Sequence, residues 1–89
     1  VRVSGLTTWY PAGGPVAAAG PALRAALGHD WRGQHVRVCS GGRCVTVELI
    51  DWCACGPRHG VPTLLDLSDD AFRRLAPLDA GVIDVRVSW

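Results

Sequence analysis

The sequence predicts a small all-β domain: a closed or nearly closed barrel of short strands, interrupted by two short helices and stapled by disulfides. Three observations predict it. Short segments alternate apolar and polar residues with period two, as half-buried strands do. Glycine and proline punctuate the intervals between them. Four cysteines, at positions 39, 44, 53 and 55, fall in a chain of 89 residues, and an even count in so short a chain marks a stapled, secreted domain. Closure is the economical architecture because it removes exposed strand edges. The length allows one domain, residues 1–89, with a single core.

The elements follow in order. Val1-Arg2-Val3-Ser4 alternates as a short strand, and Thr7-Thr8-Trp9-Tyr10 is a second β-prone piece ended by Pro11. Residues 11–20 are rich in Gly, Pro and Ala and are expected to form a loop. Pro21 suits the first turn of a helix that carries Ala22, Leu23, Ala26 and Leu27 on one side, with Gly28 as its stop. His35–Cys39 and Cys44–Trp52 form the clearest hairpin, because Val36 and Val38 alternate with Arg37, and Val45, Val47 and Leu49 with Thr46 and Glu48. Extended by period two, the face of Val45, Val47 and Leu49 reaches Asp51, so a carboxylate is expected on the apolar side at the strand's end. Cys53–Pro62 reads as a loop. Thr63-Leu64-Leu65 is a strand running into Asp66-Leu67-Ser68, where Ser68 is a good helix N-cap and Asp69 and Asp70 complement the helix dipole. Ala71, Phe72, Leu75 and Ala76 supply that helix's apolar stripe before Pro77 ends it. The last strand points Ile83, Val85, Val87 and Trp89 inward, and Asp84, Arg86 and Ser88 outward.

The cysteine spacing favours one pairing. Ser40-Gly41-Gly42-Arg43 is a turn that sets Cys39 opposite Cys44 across the hairpin. Val45–Asp51 then carries the chain roughly 20 Å further before Cys53, which leaves Cys53 to pair with Cys55. A four-thiolate zinc site is the rival, although the spacing lacks the C-x2-C knuckles zinc usually takes. No other metal site and no cofactor is expected.

Composition narrows the partners. No apolar run approaches the ~18–20 residues of a membrane span. The net charge is +1, and the nine basic residues are all arginine and mostly scattered singly, so nucleic acid is not an expected partner. Glutamate occurs once, at Glu48, so carboxylate chemistry rests on seven aspartates. The chain starts at Val1 without a signal-peptide pattern, and a processed or excised domain acting as a monomer is expected.

Several pieces, in order, carry a family likeness: Gly5-Leu6-Thr7-Thr8-Trp9-Tyr10; Ala25-Ala26 with Gly33 seven residues on; Val36-Arg37-Val38; Val45–Leu49 leading to Asp51; Asp66-Leu67-Ser68 before Ala71-Phe72; and Gly81 with the Val-rich end. The set resembles the six-stranded double-psi β-barrel of rare lipoprotein A, expansin amino-terminal domains and barwin-like proteins. The resemblance implies a secreted or envelope-facing protein acting on structural polysaccharide, above all peptidoglycan, with lytic transglycosylase activity in some members. It places the aspartate that closes the family's central strand at Asp51, where Asp51-Trp52-Cys53 is closer to the expansin and barwin-like Asp-x-Cys form. It places the aspartate of the expansin His-Phe-Asp motif at Asp66. Two family positions differ: no acidic residue occurs between Val1 and Leu27, where active members carry a Gly-Glu motif, and Leu27 stands where they carry a histidine.

Asp51 is thus the candidate general acid, with a pKa raised by apolar surroundings, or else a cap for loop amides. Asp66 is the second carboxylate or a helix-start acceptor. Trp9 and Tyr10 are candidates for stacking on pyranose faces, whereas Trp52 alternates with Asp51 and is expected on the opposite side of its strand. His59 and Arg58, in the loop after the cysteines, are candidate substrate contacts; Arg58 suits a peptide or lactyl carboxylate. The resulting expectation is a secreted wall-active domain that engages peptidoglycan or a related structural polysaccharide, with Asp51 as general acid/base if it cleaves the glycan as a lytic transglycosylase. The alternatives are an expansin-like module that binds or loosens polysaccharide, and a barwin-like protease inhibitor.

Overall fold

A computed structural model describes residues 1–89. Six strands, β1 (Arg2–Tyr10), β2 (Val16–Ala19), β3 (His35–Ser40), β4 (Arg43–Trp52), β5 (Thr63–Ser68) and β6 (Ile83–Ser88), close into a barrel in the order β1-β5-β2-β4-β3-β6. Helix α1 (Pro21–Leu27) follows β2, α2 (Asp69–Arg73) follows β5, and a 3-10 turn at Leu78–Ala80 precedes β6. The pairs β1–β5 and β2–β4 are parallel and the others antiparallel. No helix is long and apolar enough to cross a membrane. Both disulfides are present, Cys39–Cys44 and Cys53–Cys55, so no thiolate is left for zinc.

Inward residues of every strand fill the barrel, among them Val36, Val38, Val47, Leu49, Leu65, Leu67 and Val87, all essentially inaccessible. Phe72 from α2 and Leu23 from α1 join the same core. Three expectations about the elements are corrected. The two amino-terminal pieces are one nine-residue strand, β1, whose central Gly5 passes against Pro62 and Leu64. Residues 16–19, expected as loop, form β2 between β4 and β5. That strand shows no alternation because it is covered on both faces, and small alanines fit there. Of the expected apolar side of α1 only Leu23 is buried; Ala22 and Ala26 are exposed and Leu27 is half-buried.

A further correction concerns Asp51. Ala17 pairs with Leu49, but the next β2 residue, Ala18, pairs with Asp51, so Ile50 is an extra residue in β4. Such a bulge breaks the period-two count. Arg32 donates to the Ile50 carbonyl and holds the bulge in place. Leu49 therefore points into the core, while Asp51 is exposed rather than on the apolar side.

The start of α2 fastens the β1–β2 connection. Ser68 accepts from the Ala71 amide at 3.2 Å and donates to the Gly14 carbonyl, while the Gly13 and Gly14 amides donate to Asp69 and Asp70 at 3.0 and 2.9 Å. The Gly13 amide holds the Asp69 carboxyl below its ordinary range, with Arg73 adding to the effect. The sign follows: stability from this contact is complete above the ordinary carboxylate range and is lost as pH falls through the lowered folded-state value. Amide hydrogen exchange at Gly13, corrected for intrinsic rate, is expected to accelerate in acid, and Asp69→Asn is expected to remove most of that pH dependence.

Candidate functional site

Cross-strand registers assemble the site. Thr8 on β1 pairs with Asp66 on β5, Asp66 with Ala18 on β2, and Ala18 with Asp51 on β4. Residues in register share a face of the sheet, so Thr8, Asp66, Ala18 and Asp51 form one row across four strands on the outside of the barrel. With strands about 4.8 Å apart, the two aspartates stand roughly 10 Å apart at their backbones, and Ala18 between them presents only a methyl group. The row sets a carboxylate on each side of Ala18, which is itself buried.

Each carboxylate is already oriented. Asp66 accepts from the Thr8 hydroxyl at 2.7 Å, and Asp51 accepts from the Trp52 amide at 2.8 Å. Tyr10, two residues beyond Thr8 on the same face, completes the cluster. Its hydroxyl is buried without a hydrogen-bond partner. Burial raises its pKa, and the nearby charges of Asp51 and then Asp66 raise it further, so the phenol keeps its proton, a donor with no acceptor. An unpaired buried hydroxyl costs stability. Tyr10→Phe is therefore expected to leave thermal stability unchanged or raise it by about 1 kcal/mol. A raised tyrosine pKa also means that stability falls as pH climbs past the ordinary tyrosine value, and the variant is expected to shed that alkaline loss in a thermal unfolding series.

Trp52 adjoins this row. It is 54% exposed although it is one of the largest apolar side chains in the chain. Arg24 from α1 sits 5.4 Å from the centre of its ring and donates to the Ala19 and Cys53 carbonyls at 2.7 and 3.0 Å. A guanidinium fixed by two backbone carbonyls thus backs the indole and steadies it as a flat exposed surface.

The other expected residues lie elsewhere. Trp9 alternates with Tyr10 and faces the interior, where its indole N–H donates to the Leu78 carbonyl at 2.8 Å. Arg58 and His59 are exposed in a turn closed by reciprocal backbone hydrogen bonds between Arg58 and Val61. Their side chains make no hydrogen bond or ion pair, and Val61 lines a depression with Ser4, Asp84 and Arg86, towards β6 and away from Asp51. Sequence reasoning missed Thr8 and Ala18 as site residues and set Trp52 aside. The signal for Thr8 was present, since it stands in the Thr7-Thr8-Trp9-Tyr10 motif, but its partner is 58 residues away.

A family model described as "Lytic transglycolase" matches residues 2–87, nearly the whole chain. The chain belongs to this family of double-psi β-barrels. Other likenesses connect this family member to two kinds of relative. A Streptomyces mobaraensis papain inhibitor is 41% identical over 59 residues, which cover 65% of this chain and 37% of that protein. Two crystal structures of a Clavibacter michiganensis expansin, one of the apo protein and one of a point mutant in complex with cellohexaose, superpose with a TM-score of 0.74 at 22% and 21% identity. They cover 99% of this chain and 50% of the expansin. The structure of a Streptomyces papain inhibitor superposes with a TM-score of 0.70 at 26% identity, over 99% of this chain and 93% of that one. The chain thus spans about half the length of the expansin and little over a third of that of the Streptomyces mobaraensis inhibitor.

Proposed function

We propose that this domain is a secreted, wall-active barrel that holds a structural β-linked polysaccharide, peptidoglycan foremost, along the row Thr8–Asp66–Ala18–Asp51. The observation that carries the reading is the row itself: two outward carboxylates two strands apart, with an exposed indole braced by Arg24 following Asp51 in the chain. Carboxylates accept from sugar hydroxyls, and the Trp52 face packs against the apolar side of a ring. A family match over residues 2–87 and an expansin bound to cellohexaose support it.

Engagement is favoured over cleavage. A general acid working near neutrality needs a carboxyl in an apolar pocket, and Asp51 is exposed. The family's amino-terminal glutamate has no counterpart between Val1 and Leu27. Incubation with purified peptidoglycan and with cellulose tests this. The protein is expected to sediment with the polymer and to release no anhydro-ended fragments detectable by mass spectrometry. Anhydromuropeptides that vanish in Asp51→Asn would restore the lytic assignment.

A second reading rests on a different observation, the 41% identity to a papain inhibitor together with the superposition over 93% of such an inhibitor. In that case the barrel binds a cysteine protease through its loops. Dose-dependent loss of papain activity, unaffected by Asp51→Asn and Asp66→Asn, would support it.

A further inference from the structure

Between β4 and β5, residues 53–62 lie outside every helix and strand, yet both of their stems are fastened to the barrel. The Cys53 amide donates to the Ala19 carbonyl at 2.9 Å, and the Cys53 carbonyl accepts from Arg24 at 3.0 Å. Cys53 is also bridged to Cys55. On the other stem the buried Thr63 hydroxyl donates to the Gly56 carbonyl at 2.8 Å, and the Pro62 carbonyl accepts from the Leu6 amide at 2.9 Å. Between these anchors every residue of Gly56–Val61 is exposed.

The exposed tip has a fixed shape of its own. Reciprocal backbone hydrogen bonds, at 2.9 and 3.0 Å, close Arg58 against Val61 around His59 and Gly60. φ is 51° at His59 and 77° at Gly60, the pair of positive values that a type I′ turn requires. His59 is the one non-glycine residue of the chain with a positive φ, a conformation that costs free energy and persists only where the surroundings impose it. Pro57 and Pro62 fix φ on either side of the turn. Nothing within the fold uses the result. The Arg58 and His59 side chains have no partner, and Val61 is an apolar side chain left 38% exposed.

We propose that this tip is a docking finger, which enters the substrate cleft of a papain-type cysteine protease with Val61 as its apolar anchor. The proposal rests on the second reading above and gives it a surface. A protease holds the segment it cuts extended across its cleft, in line with the nucleophile. A turn with two consecutive positive φ values is not extended, so its peptide bonds stay out of line with the cysteine while the tip fills the cleft. Because the stems are already anchored, the tip loses little conformational freedom on docking.

The test compares inhibition of papain by the intact 89-residue protein with inhibition by Val61→Asp and by Gly60→Val. Val61→Asp keeps the backbone and replaces the anchor with a charge. At Gly60 nothing lies within 4 Å of an added β-carbon, so Gly60→Val acts on the left-handed backbone of the turn. Each is expected to raise the Ki roughly tenfold or more, as loss of an interface anchor does. Val61→Asp is expected to unfold at the wild-type temperature, which separates its loss of inhibition from a loss of fold. Gly42→Ala, in the β3–β4 turn, is expected to inhibit as the wild type does. Inhibition by both tip variants equal to that of the wild type would overturn the proposal and leave the second reading standing. Absence of inhibition by the wild type would overturn both. Weaker sedimentation of Val61→Asp with peptidoglycan, with papain inhibition intact, would assign the tip to the glycan and also overturn the proposal.

Discussion

Gly20→Ala is expected to lower thermal stability more than any other single methyl addition on the β2 side of the barrel. Gly20 ends β2 where the chain crosses the start of β5, and its amide donates to the Leu64 carbonyl at 2.7 Å. A β-carbon there would lie 2.5 Å from the Thr63 carbonyl oxygen and 2.8 Å from that of Leu64. Both are backbone atoms of a central strand and cannot swing aside as a flexible side chain would. Separating the strands adds overpacking of about 1–3 kcal/mol to a lost buried hydrogen bond of similar size. A total near 3 kcal/mol would lower the Tm by roughly 12–24 °C in a domain this small. Gly42→Ala is the matched control, since nothing lies within 4 Å of a β-carbon there, and its effect is expected to stay within about 0.5 kcal/mol. The substitution also has a functional consequence, because Ala18, two residues earlier, is the spacer between the carboxylates.

The second large effect is on binding. In Asp51→Asn/Asp66→Asn each side chain keeps its shape and loses its charge. Hydrogen bonds to charged groups contribute about 1.5–3 kcal/mol each against roughly 1 kcal/mol for neutral ones. Losing that difference at two positions is expected to weaken polysaccharide affinity by roughly ten- to a hundredfold while thermal unfolding stays nearly unchanged. Asp66→Asn retains an acceptor for Thr8, and Asp51 lies at an exposed position, so neither change should disturb the fold. Trp52→Ala separates stacking from charge: it removes the indole but leaves both carboxylates, and a loss of comparable size is expected in the same sedimentation isotherm.

Much of the barrel was legible in the sequence wherever alternation was clean. The β3–β4 hairpin, the Cys39–Cys44 pairing across it, the Ser68 cap and the inward valines of β6 all follow from local pattern. β2 was hidden because Val-Ala-Ala-Ala is covered on both faces and has no periodic signal, and its Gly and Pro flanks look like loop. The two aspartates could be singled out individually, but their surroundings could not. Asp51 reaches the outer face only because Ile50 bulges, and a bulge leaves no mark in an apolar run. The row itself depends on the parallel pairs β1–β5 and β2–β4, which join segments far apart in sequence, so neither Thr8 nor Ala18 could be placed beside a carboxylate from local pattern. Trp52 was set aside because it alternates with Asp51, and the register keeps that alternation, with Ala18 opposite Asp51 and Ala19 opposite Trp52; its exposure at the end of β4 is what the count does not show.

The central claim is that the Thr8–Asp66–Ala18–Asp51 row, with Trp52 beside it, holds the glycan. Backbone amide NMR during titration with a soluble β-1,4-linked N-acetylglucosamine hexamer, and separately with cellohexaose, tests it at residue level. The predicted result is a set of saturable shifts centred on Thr8, Tyr10, Ala18, Asp51, Trp52 and Asp66 with at least one of the two sugars, abolished in Asp51→Asn/Asp66→Asn. Shifts confined to the 53–62 loop or to the β6–β3 face, or no shifts with either sugar at millimolar concentration, would contradict it.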